Sequence, residues 1–139
     1  DLPGWRCLDL FAGSGALGFE AASRGAALVT MVEREREAAA ALERNRALLG
    51  AAAVRVVRAD ALAWLGADRE PYDLVFLDPP FASGLAGQVL PLLAAHLAPD
   101  GRVYVEQGAP VEAVPGLTIL RSGRAGRSHH ALLIKEAPC

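Results

Sequence analysis

At 139 residues, with 53% hydrophobic, 22% charged and 6% aromatic residues, the chain has the size and composition of one folded domain, which argues against general disorder. A formal net charge of −2 argues against a self-sufficient nucleic-acid binder, because phosphate contacts need clustered Lys or Arg. No apolar run approaches the ~20 residues of a spanning helix, the opening Asp1-Leu2-Pro3-Gly4-Trp5-Arg6 is no signal peptide, and Cys7 and Cys139 lack the spacing of a zinc site or disulfide framework.

Taken in chain order, Arg6 to Phe11 is a short apolar run ending before Gly13 and predicts a buried first strand. Ser14 is placed to cap a helix from Ala16 to Arg24, which Gly25 stops. Ala27 to Val32 predicts a second strand, and Arg36 to Leu49 a long helix with Gly50 as its stop. Val54 to Arg58 predicts a third strand, after which Asp60 caps a short helix carrying Leu62 and Leu65. Tyr72 to Leu77 predicts the fourth strand, and Gly84 to Leu97 a helix in which Pro91 makes a kink or a new first turn. Pro99-Asp100-Gly101 reads as a turn before a fifth strand, Arg102 to Glu106. Leu117 to Leu120 and Ala131 to Lys135 close the chain as strands, joined by the basic stretch Arg121 to His130. Alternation through five strands predicts an α/β fold with helices on both faces of a mostly parallel sheet, and the last two strands an antiparallel edge hairpin.

Gly13-Ser14-Gly15-Ala16-Leu17-Gly18 fits G-x-G-x-x-G between a strand and a helix, where glycine permits a tight turn and close approach of a ligand. The exposed N–H groups of a helix start favour an anionic group there. Glu33, at the end of the second strand, can accept both hydroxyls of an adenosine ribose. NAD, FAD and S-adenosylmethionine all carry that ribose. Asp9 tilts the choice: its carboxylate suits a methionine ammonium and would be unhelpful beside a pyrophosphate. The expected cofactor-lining set is Asp9, Phe11, Ala12, Gly13, Ser14, Gly15, Glu33, Arg34, Asp60, Ala61 and Asp78. Asp60 serves equally well as an acceptor for the adenine amino group or as a plain helix cap.

Asp78-Pro79-Pro80-Phe81 follows the fourth strand, at the edge where open α/β sheets bind ligands. The prolines fix the backbone and remove two donors, so a carboxylate and a carbonyl can accept both hydrogens of an –NH₂ group. Phe81 offers a flat face for a planar base. An aromatic amine is poorly nucleophilic because its lone pair is delocalised. Holding both N–H bonds favours a pyramidal nitrogen aimed at a sulfonium methyl, so positioning and electrostatics carry the reaction. Arg121, Arg124, Arg127, His129 and His130 form a basic patch that suits either phosphate contacts or a solvated loop. No residue spacing suggests a metal site or a nucleophilic triad.

Leu8 to Gly18, followed by Glu20-Ala21, and Val75 to Phe81 closely resemble the RsmD-type bacterial methyltransferases, over a span from about Arg6 to Lys135. The resemblance implies a seven-stranded Rossmann-like class I methyltransferase fold with an antiparallel last strand, S-adenosylmethionine as cofactor, and Glu33 on its ribose. It implies catalysis at Asp78, Pro79, Pro80 and Phe81 on the N2 amine of a guanine in small-subunit ribosomal RNA, free or in an assembling subunit. Members of that family carry a basic N-terminal extension that contributes to RNA and cofactor binding. This chain, which opens without Met almost directly on a strand, reads as a single methyltransferase domain without it. A cytoplasmic monomer is expected. The same loops would suit adenine-N6 or glutamine-amide methylation, and the Gly loop with Glu33 an NAD-dependent oxidoreductase or a noncatalytic cofactor-binding module.

Overall fold

The computed structural model describes residues 1–68, 70–80 and 83–137. Strand and helix alternate as far as the fifth strand, and the chain divides into two units, Asp1–Arg69 and Glu70–Cys139. The first holds β1 (Arg6–Asp9), α1 (Ala16–Ser23), β2 (Leu28–Glu33), α2 (Arg36–Leu49), β3 (Val54–Arg58) and α3 (Ala61–Ala67). β1 pairs with β2 and β2 with β3, both parallel, so Asp9, Glu33 and Arg58 mark the carboxyl ends of three adjacent strands. Parallel strands need crossovers, and α1 and α2 supply them. Cys7, Leu8, Val29, Met31 and Val32 are fully buried, which is why these strands read as continuous apolar runs. The Thr30 hydroxyl, also buried, accepts from Arg55 Nη2 of the neighbouring strand at 3.0 Å. An unmade bond at that depth would cost about 1–3 kcal/mol.

The second unit holds β4 (Tyr72–Leu77), α4 (Leu85–Val89), a 3₁₀ segment (Leu90–His96), β5 (Leu97–Gln107), β6 (Leu117–Ala125) and β7 (Ser128–Lys135). β4 and β5 are parallel, β7 is antiparallel to β5, and β6 is antiparallel to β7. Val75, Leu77, Val103, Val105, Ala131 and Leu133 line one face and are fully buried. Phe76, Tyr104, Glu106, His130 and Leu132 alternate with them onto the other face, where they are half-buried.

Four expectations are corrected. Ser14 does not cap α1: the N-cap is Gly15, at φ 85°, with no side-chain bond. The helix expected from Gly84 to Leu97 is α for Leu85–Val89 only. Pro91 then enters the first turn of the 3₁₀ segment, where its missing N–H interrupts the α ladder. Pro99-Asp100-Gly101 does turn, but inside β5, as a bulge between the pairs Tyr72↔Leu97 and Leu74↔Arg102 with Asp100 at φ 63°. The basic stretch Arg121 to His130 is no loop. It continues both closing strands to a tight turn at Gly126-Arg127, where φ 60° at Gly126 matches the twist of a two-residue hairpin.

Candidate active site

β1 ends at Asp9, and the chain turns through the Gly loop into α1. The turn is closed by Ala12 N–H donating to Val32 O at 3.1 Å and Gly15 N–H donating to Ala12 O at 2.7 Å. Gly13 N–H donates to Glu33 Oε1 at 3.0 Å, and Glu35 N–H donates to Glu33 Oε2 at 2.8 Å. Both carboxylate oxygens are thereby fixed at the loop, and each keeps a lone pair for a further donor. A Cβ at Gly13 would meet nothing nearer than Phe11 O at 4.0 Å, so the space over the loop is open. At Gly18 a Cβ would lie 2.4 Å from Met31 Cε and 3.3 Å from Asp9 Oδ2. Glycine there lets α1 press onto β1 and β2. Asp9 is 1% exposed, its carboxylate beneath that helix rather than out over the loop.

Asp60 caps α3, its Oδ2 accepting from Ala63 N–H at 3.1 Å, while the residue itself is exposed. The cap is therefore real, and Asp60 Oδ1 is not part of it. Ala59 N–H donates to Glu33 O at 3.1 Å, which ties the start of that turn to the end of β2. The loop, Glu33 and Asp60 thus stand along one edge of the first unit. Phe11 is half-buried, Ala12 and Ala61 are buried, and Ser14 is exposed. Arg34 is exposed and donates to Glu35 Oε1 at 3.2 Å. An open glycine turn beside a fixed, still-accepting carboxylate fits an adenosine ribose.

In the second unit Asp78 follows β4 directly and is exposed, with Pro79 buried and Pro80 exposed behind it. Pro80 O accepts from Ser83 N–H at 3.2 Å and keeps a second lone pair. Phe81 lies outside the described residues. Pro79 and Pro80, with Ser83 and Gly84, border a pocket of about 280 Å³ whose far side is Gln107, Gly108 and Ala109.

Two residues of this site escaped the sequence reading. The last β4–β5 pairs are Phe76↔Tyr104 and Leu77↔Val105, so Asp78 stands beside Glu106 one position further on. Tyr104 Oη donates to Glu106 Oε1 at 2.5 Å. Although Asp78 is exposed at the surface, partial loss of hydration of its carboxyl at the strand edge raises it above its ordinary value, and the charge of Glu106 pushes it the same way. Burial, the bond to Glu106 and the charges of Glu106 and Asp78 push the Tyr104 phenol up to about 12. The signal was available: Tyr104-Val105-Glu106 alternates, so its two polar residues share a face at the carboxyl end of a strand. Among the described residues no three His, Cys, Asp or Glu side chains group to hold a metal ion, and no helix is long and apolar enough to cross a membrane.

A family model described as Conserved hypothetical protein 95 matches residues 1–134. Ribosomal RNA small subunit methyltransferase D of Escherichia coli (strain K12) is 45% identical over 139 residues, which is 95% of this chain and 69% of that protein. A solved Escherichia coli methyltransferase, yhhF, superposes with a TM-score of 0.89 at 39% identity, over 98% of this chain and 78% of that one. A methyltransferase complexed with SAH, SMU.776, shares the fold at 17% identity and a TM-score of 0.82, over 96% of this chain and 46% of its own. The architecture is the expected one: α/β, seven strands, mostly parallel with an antiparallel last strand, in the class I methyltransferase fold.

Proposed function

Because the chain belongs to the ribosomal RNA small subunit methyltransferase D family, we propose that it methylates the exocyclic N2 amine of a guanine in small-subunit ribosomal RNA. S-adenosylmethionine, when bound, supplies an electrophilic sulfonium methyl. Glu33, held by Gly13 and Glu35 N–H, receives the ribose hydroxyls. The α1 N-terminus would face the methionine carboxylate, and the Asp9 carboxylate, buried under α1, would act on its ammonium through its charge rather than by exposed contact. Phe11, Ala12, Ser14, Arg34 and Ala61 complete the surface, and the free oxygen of Asp60 serves the adenine amino group.

The target base is unstacked from its neighbours to reach the pocket at Pro79 and Pro80. Asp78 accepts one N–H of the amine, and a backbone carbonyl of the Asp-Pro-Pro turn accepts the other. Phe81 supplies the stacking face. Transfer leaves the nitrogen with one proton too many. Asp78, whose proton affinity is raised by partial loss of hydration and by Glu106, is suited to take it. The observation that carries this reading is Asp78 at the end of β4, beside Glu106, with the two prolines that follow it bordering a pocket of about 280 Å³. The reading places the enzyme in the cytoplasm as a monomer, acting on the rRNA alone or within an assembling subunit.

The test is methylation of small-subunit rRNA with a labelled methyl donor, followed by mass analysis of the nucleosides. N2-methylguanosine is expected, and Asp78→Ala should lower the rate by orders of magnitude while S-adenosylhomocysteine affinity stays within a few-fold. Methyladenosine, or label in protein glutamine, would replace this reading with one of its relatives. Binding of NADH without S-adenosylhomocysteine would end it.

A further inference from the structure

β7 runs antiparallel to β5 and pairs Glu106 with His130 and Gln107 with His129. The turn joining β6 to β7 therefore projects from the same sheet edge as Asp78. β6 in turn pairs Gly123 with His130 and Arg124 with His129. Asp78, Glu106, His130 and Gly123 form one row across four strands. With neighbouring strands about 4.8 Å apart, β6 lies about 14 Å from Asp78.

Arg121, Arg124 and Arg127 are all exposed along this hairpin. Among the described residues no hydrogen bond or ion pair engages any of the three, whereas Arg24 and Arg46 are paired with Glu20 and Glu43 on their own helices. A chain of net charge −2 thus gathers three unneutralised guanidinium groups on one hairpin, within reach of its target site. The hairpin is also shaped. A Cβ at Gly123 would lie 2.8 Å from His130 Nε2 and 3.0 Å from Cε1, so the glycine makes room for the imidazole to lie against β6.

We propose that the β6–β7 hairpin is an RNA-binding arm whose Arg121, Arg124 and Arg127 take phosphates on either side of the nucleotide presented to Asp78. The inference rests on the rRNA reading above and adds the surface that reading lacks. Guanidinium forks match phosphate oxygens in a way that suits positioning rather than base selection. Arg121 and Arg124 point to opposite faces of the hairpin and Arg127 sits at its turn, so a strand bent around the tip can meet all three. The register then sets the distance from phosphate to reacting base.

The test compares the unmodified chain with Arg121→Ala/Arg124→Ala/Arg127→Ala and a charge-matched control, Arg24→Ala/Arg36→Ala/Arg44→Ala. Binding to an in vitro transcript of small-subunit rRNA is measured by fluorescence anisotropy across salt concentrations, with labelled-methyl transfer alongside. The hairpin variant should lose about 10-fold or more in RNA affinity, and its salt slope should fall by about 2, since each single-strand phosphate contact contributes roughly 0.7. Its KM for RNA should rise with kcat and S-adenosylhomocysteine affinity unchanged, and the control should change far less. Equal loss in both variants, or unchanged affinity in the hairpin variant, overturns the arm while leaving the methylation reading standing. RNA binding that depends on the hairpin without any methylation supports the arm and sinks the rRNA reading. No RNA binding by the unmodified chain overturns both.

Discussion

Replacing Gly15 by Ala tests whether the cofactor loop depends on a position that only glycine can fill. Gly15 sits at φ 85°, and a Cβ there would lie 2.6 Å from Leu42 Cδ2 and 2.6 Å from Phe19 Cε2. A left-handed Ala costs about 1–2 kcal/mol. Forcing a methyl group into packed neighbours adds about 1–3 kcal/mol. The stiffer unfolded chain returns about 0.4–1 kcal/mol. The net loss is about 2–4 kcal/mol, which at ~0.3 kcal/mol per degree for a chain of this length lowers Tm by roughly 7–14 °C. Gly50 supplies the comparison, because it shares a positive φ of 62° but has nothing within 4 Å of a Cβ. Gly50→Ala keeps only the conformational cost, about 1 kcal/mol, or roughly 3 °C. Thermal unfolding followed by far-UV circular dichroism measures both. Equal shifts in the two variants would refute the argument from contact at Gly15, and a Gly15→Ala shift below about 3 °C would refute the backbone argument as well.

Four further outcomes follow from the site geometry. Asp78 must be ionised to accept from an amine, so methylation should fall as pH drops through its raised pKa, and Glu106→Gln should move that acidic limb to lower pH; an unmoved limb would remove Glu106 from the site. The same raised Asp78 favours the fold fully below its unfolded value, and that contribution is lost as pH rises through the folded value. Tyr104, raised to about 12 against roughly 10 for an unfolded tyrosine, should ionise late in an absorbance titration and cost the fold stability between those values. Asp60→Ala should lose about 0.5–2 kcal/mol with its cap. Asp60→Ser should restore that stability, and S-adenosylhomocysteine affinity restored along with it would show that Asp60 is a cap and nothing more.

Much of this fold was legible because its signals are local. Continuous apolar runs mark β1 and β2, which are buried on both faces, and Gly50 ends α2 in the left-handed conformation expected of a stop. The Gly loop and Glu33 were legible as a pair, and the Gly13-to-Glu33 hydrogen bond shows why they belong together. What escaped depends on neighbours far along the chain. Whether Arg121 to His130 is strand or loop is decided by its pairing with itself and with β5, and its polar residues mimic a loop. That Glu106 stands beside Asp78 is set by the β4–β5 register, which no window of sequence contains, although its place at a strand end on the Tyr104 face was there to read. Ser14 had the chemistry of a cap, but the turn put Gly15 at the capping position instead.

The 3₁₀ segment Leu90–His96 is built to open more easily than the strand that follows it. Its i→i+3 bonds have poorer geometry than an α ladder, and Pro91 leaves it one donor short. Leu90 and Leu93 anchor it, while Leu92 stands 46% exposed. Its amides should therefore exchange with heavy water well before those of β5, the strand that follows it. α4, which leads into this segment, contributes Ala86 to the pocket beside Pro79 and Pro80. One wall of that pocket is thus continuous with a weakly hydrogen-bonded segment, and room for a ligand there can come from a brief loosening of that segment rather than from the sheet.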